Sequence, residues 1–129
     1  MNSHYLRKTT WSNLFFLIPF ALSIKFEIFY YSLILGIVIM ISTLFHYSNN
    51  FKFRYLDIFI STILIISNLY LLSIGGWKLP FSLVTILIAV LAILVYYFQF
   101  RSHRILLHNI WHILSAFICY FSILTFLAV

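Results

Sequence analysis

Four stretches of about twenty residues, at 27–46, 55–74, 79–100 and 105–129, run with hardly a charge between their ends. Wound as α-helix at 1.5 Å per residue, each is about 30 Å long, the thickness of a bilayer's hydrocarbon core. A backbone in lipid must satisfy its own hydrogen bonds, which leaves helices as the expected form. Composition supports this: 64% of the 129 residues are hydrophobic and 8% are charged, too few charges to cover a water-soluble domain of this size. The expectation is an all-α, polytopic membrane helix bundle forming one domain over 1–129.

A fifth segment, 11–24, is shorter and contains Pro19. It is expected to cross by continuing past Lys25 with that side chain snorkelling, giving about five transmembrane helices; a re-entrant course would leave four. Arg7 and Lys8 followed by "NLFFLIPFALSI" imitate a signal peptide, but "KFEIFYY" comes next, with no small-residue cleavage site, so retention is expected. The punctuation fits. "SNNFKFR" at 48–54 and "RSHR" at 101–104 separate helices, Gly75-Gly76 ends another, and Pro80 stands where a first-turn proline is tolerated.

The formal net charge of +6 is read as topology and contact with anionic lipid, since no recognition motif presents it to nucleic acid. With five spans, Arg7, Lys8, Lys52, Arg54, Arg101 and Arg104 share one face, and Lys25 and Lys78 lie on the other. The positive-inside rule makes the six-charge face cytoplasmic and puts the C-terminus outside. Trp11, Tyr47, Tyr55 and Trp111 are expected as interface anchors. The single cysteine, Cys119, reads as a small apolar residue inside a helix.

Ionisable groups inside such helices carry a free-energy cost, and four of them fall at one depth. His46 ends one span, Asp57 lies a turn into the next, and His108 and His112 lie one to two turns into the last. An even number of spans separates His46 from His108, so both approach the same surface whether or not the first segment crosses. His108 and His112, at i and i+4, project from one helix face, as two ligands of one ion require; Ser42 and His46 have the same relation. Three neutral imidazoles with an open fourth position suit zinc in its catalytic form, and a carboxylate outside the ligand set can take a proton from water. Each piece also has an ordinary structural explanation: Ser42 as a helix-packing serine, Asp57 paired with Arg54 or Lys52, His46 as a polar tip at the interface. Ser67 and Asn68 are expected to make interhelical hydrogen bonds, and His4 and His103 to be exposed without a role.

The order "STLFH", then the aspartate of "YLDIF", then "HNIWH" resembles the superfamily of alkaline ceramidases, adiponectin receptors and Per1 proteins. Those are seven-helix membrane proteins, known or presumed to be zinc-dependent hydrolases. The short interval from His46 to Asp57 is closer to the ceramidase branch. The resemblance implies that His46, His108 and His112 bind Zn2+, that Asp57 holds and deprotonates water, and that Ser42 supports the site or the substrate carbonyl. It implies hydrolysis of an amide, or less readily an ester, of a membrane lipid. Only the span at 79–100 lies between the Asp57 helix and the HxxxH helix, where the family has three. Loss of a helix pair keeps the parity but removes walls around the lipid, and a homodimer is one way to restore them. Two non-enzymatic alternatives stand beside this: a haem protein with His46 and one of the HxxxH pair as axial ligands, and a helical subunit that binds a partner and uses its histidines for nothing.

Overall fold

The structure, a computed structural model, describes residues 10–48, 51–102 and 105–128. A 3-10 segment, Thr10–Phe16, leads into five α-helices: α1 (Leu17–Lys25), α2 (Phe29–Ser48), α3 (Phe51–Ile74), α4 (Phe81–Ser102) and α5 (Ile105–Leu127). Helices α2 to α5 are each long and apolar enough to cross a membrane. The first apolar segment, Trp11–Lys25, is shorter. Because it begins as 3-10 helix, with a rise of about 2.0 Å per residue, its whole length still reaches roughly 27 Å. It runs beside α2 from the level of the histidines to the opposite end, where the Ser23 and Ser32 hydroxyls meet at 2.7 Å.

The helix ends explain where the sequence boundaries move. After α1, Glu27 adopts a left-handed conformation (φ 60), and the amides of Glu27 and Ile28 turn back to the carbonyls of Ile24 and Ser23. This is a Schellman closure, so α2 starts at Phe29 rather than at residue 27. The same motif ends α3 with Gly76 in the left-handed position (φ 66), as the glycine pair predicts. Pro80 precedes α4 instead of occupying its first turn. The 48–54 break is shorter than expected, because α3 already begins at Phe51. Arg7, Lys8, His4, His103 and Arg104 lie outside the described residues, as does the side chain of Arg54.

Packing follows a ring. The first segment contacts α2, α2 contacts α3, α3 contacts α5, and α5 returns to the first segment. The ring's centre holds Tyr31, Leu35, Val38, Leu64, Leu71, Cys119 and Ile123, all buried. Within it, Tyr31 donates to Asn68 Oδ1, and the Asn68 amide points to Cys119 Sγ at 3.7 Å, so α2, α3 and α5 share one polar chain. Asn68 thus bonds across helices as expected, while Ser67 bonds the Ile63 carbonyl of its own helix.

Helix α4 stands outside the ring and packs on α5. Its buried positions are small, Ser82, Thr85 and Ala92, which lets the two backbones approach closely without a hydrophobic driving force between them. Helices α3 and α4, although consecutive, scarcely touch. Gly75 caps α3 against the end of α5, where an added Cβ would lie 2.6 Å from the Thr125 carbonyl oxygen. Gly75→Ala therefore forces one backbone away from the other. We expect a loss of about 1–3 kcal/mol, visible as a lowered thermal midpoint in detergent; an unchanged midpoint would show that this end of the bundle is loose.

Candidate metal centre

The C-terminal turn of α2 and the N-terminal turns of α5 bring three imidazoles together. His46, His108 and His112 are 1%, 8% and 2% exposed, and one nitrogen from each lies within 4.8 Å of the others. The Nε2 atoms of His46 and His108 are 3.3 Å apart. Two nitrogens on a tetrahedral zinc, each about 2.05 Å from the ion, sit about 3.35 Å apart. That pair already has the spacing of two ligands on one ion, and bringing the His112 nitrogen to the same spacing needs a movement of up to about 1.5 Å. The residues therefore fit a metal ion: three neutral-capable nitrogens, a shared focus, and burial that keeps bulk water away. The group can hold a metal, and a donor set of three imidazoles suits zinc, copper, iron or nickel.

The outer contact is as informative. His112 Nδ1 lies 2.6 Å from the Ser12 hydroxyl, a hundred residues away in the chain. The next residue, Asn13, accepts a hydrogen bond from Ser42 at 3.3 Å through its Oδ1. Ser42 also stands beside the Asp57 carboxyl, and the two line one cavity. A row of polar side chains thus runs from Asn13 through Ser42 to Asp57, next to the histidines. A cavity of about 90 Å³ carries Ser42, Asp57, Ser61, Asn68, Trp111 and His112 in its wall. Since a water molecule occupies about 30 Å³ in the liquid, the space suits a few waters or one reacting amide group.

All five residues singled out in the sequence are therefore in one place. His46, His108 and His112 are mutually adjacent, and Ser42, Asp57 and His112 share a cavity. Trp11, Tyr47 and Tyr55 are exposed. Trp111 is half-buried, forms part of the cavity wall and lies against Tyr96 of α4, with ring centroids 5.6 Å apart. Ser12 and Asn13 are the residues that sequence reasoning passed over. The signal was there, since "SN" interrupts an apolar segment, but the segment drew attention for its length and not for its polar content.

The geometry also bears on the haem alternative. The ring centroids of His46, His108 and His112 are 4.8, 5.1 and 4.4 Å apart. Axial ligands must face each other across a macrocycle. Here the third imidazole fills the space beside the first two, and no slot separates any pair.

Comparisons with protein-family models, with curated proteins and with solved structures find no match for this chain. What is established is a helical protein with membrane-crossing dimensions and a buried three-histidine group able to hold a metal ion.

Proposed function

We propose that this protein is a zinc-dependent intramembrane hydrolase of the ceramidase kind, cleaving an amide, or less readily an ester, of a membrane lipid. The observation that carries the reading is the convergence of His46, His108 and His112 beside a cavity lined by Asp57 and Ser42. Zinc held by the three imidazoles supplies Lewis acidity toward a carbonyl and makes water acidic near neutral pH. Asp57, outside the ligand set, takes the proton from attacking water and delivers it to the leaving amine. Ser42, in the same cavity wall as Asp57, can turn its hydroxyl from Asn13 to the Asp57 carboxyl or to the substrate carbonyl. The same order of motifs is what resembles the alkaline ceramidases.

A second opening supports a lipid as the substrate. Because α3 and α4 scarcely touch, a groove of about 560 Å³ lies between them and α5, with an almost wholly apolar lining that includes Leu69, Leu72, Trp77, Ala89 and Ile93. It shares Asn68, Trp111 and Ser115 with the polar cavity. A lipid whose scissile bond lies in the cavity can lay one acyl chain along the groove. Lipid tails and the groove are equally apolar, so the groove selects by shape, while the polar end supplies affinity. On the positive-inside rule, the site faces the cytoplasm.

The test is release of free fatty acid from N-acyl sphingoid and glycerol-ester lipids by the detergent-purified, zinc-loaded protein. Release from the amide, abolished by a chelator and restored by zinc, supports the reading; zinc-loaded protein that cleaves neither class defeats it. An Ala89→Trp variant, which fills the groove, should lose long-chain substrates by about tenfold or more while retaining short-chain ones, from the cost of about 1–3 kcal/mol for a mismatched apolar pocket.

A further inference from the structure

The start of the described chain is wedged between two helices that do not otherwise approach closely. In a 3-10 helix successive side chains leave about 120° apart, so neighbouring residues can address different partners. Ser12 addresses α5, through His112 Nδ1 at 2.6 Å, and Asn13 addresses α2, through Ser42 at 3.3 Å. Both are fully or almost fully buried, at 0% and 2% exposed. No sequence motif joins Ser12 to His112; only the fold does.

A neutral imidazole carries one proton on two nitrogens, and the partner of one nitrogen decides what the other can do. Metal-binding histidines generally donate the remaining ring N–H to a fixed acceptor, which sets the tautomer and the ring's rotation. An acceptor at Nδ1 leaves the Nε2 lone pair of His112 free to point toward His46 and His108. The alternative, a proton on Nε2, would aim a donor at the place where a cation belongs.

We propose that Ser12 is the positioning residue of His112: its hydroxyl oxygen accepts the Nδ1 proton, holding the ring in the tautomer that presents Nε2 to a metal ion. The consequence for metal affinity rests on the zinc reading; the tautomer itself is a property of the metal-free chain. Ser12 touches neither metal nor substrate in this scheme. Its effect passes entirely through the imidazole, and a serine that merely glued helices together would change stability without moving either readout below.

The experiment uses the full chain in detergent micelles, labelled with 15N at histidine. Ring nitrogen shifts report the His112 tautomer in metal-free protein, and competition with a chromophoric chelator reports zinc affinity. Wild type should show the proton on Nδ1. Ser12→Ala should give a mixture of tautomers and about a 10–100-fold weaker zinc affinity, and Ser12→Thr, which keeps the hydroxyl, should restore both. A wild-type His112 protonated on Nε2 overturns the proposal with no variant needed, which covers the case in which Ser12→Ala does not fold. So does a Ser12→Ala protein with unchanged tautomer and unchanged zinc affinity. Wild type that has the Nδ1 tautomer, lost in Ser12→Ala, yet takes up no zinc supports the positioning role and defeats the zinc reading instead.

Discussion

Replacing His46, His108 and His112 together by alanine should reduce zinc from about one ion per chain to none, as measured by elemental analysis of detergent-purified protein. No other group of three or more histidine, cysteine or acidic residues converges among the described residues. Zinc should also stabilise the wild type and not the variant. Free zinc at a hundred times its dissociation constant adds about 2.7 kcal/mol to a protein that binds it only when folded. The metal-free forms compare differently, because the triple variant exchanges three packed imidazoles for methyl groups and leaves the buried Ser12 hydroxyl without its His112 partner. Losing that one hydrogen bond costs about 0.5–1.5 kcal/mol. A wild type without zinc after loading, or a variant that keeps it, removes the metal centre from the account, and a partner-binding role for the bundle then becomes the better reading.

Asp57→Asn should keep its zinc and lose turnover by about 10²–10⁴-fold, the contribution of a positioned general base. Asparagine has nearly the same shape and fits beside Ser42 in the same cavity wall, but its amide cannot take a proton from water. The separation of the two readouts is what makes the substitution informative. If metal and activity fell together, Asp57 would be holding the site's structure. If activity survived, another group would be the base, and Asp57 would be a half-buried carboxyl that only lines the cavity beside Ser42.

Much of this site was legible before any fold was known, for a specific reason. In a chain confined to crossing a bilayer, each helix enters and leaves at a fixed depth, so a residue's distance from the end of its apolar run is nearly a coordinate. His46, Asp57, His108 and His112 could be assigned one depth and one surface on that ground alone, and His108 and His112 one helix face by their spacing. The apolar runs likewise gave four spans, and the glycine pair gave the end of α3. Pattern reading placed the start of α2 two residues early, because Glu27 belongs to a left-handed turn that hydrophobicity does not register.

Depth is only one coordinate, and the tertiary structure supplied the others. Which helices are neighbours depends on side-chain volumes at every contact: small Ser82, Thr85 and Ala92 let α4 settle on α5, and α3 and α4 are left apart with a groove between them. Trp111 takes its place in the cavity wall by the same packing. The contact of Ser12 with His112 spans a hundred residues and depends on the 3-10 start of the first segment. A short segment's helix type and rotation are set by the surfaces it fills, and those exist only once the ring has closed. The sequence by itself determined the medium, the spans and the shared depth of the histidines, because lipid imposes these on each segment separately. Only the fold decided what stands behind each histidine, because that depends on all the segments at once.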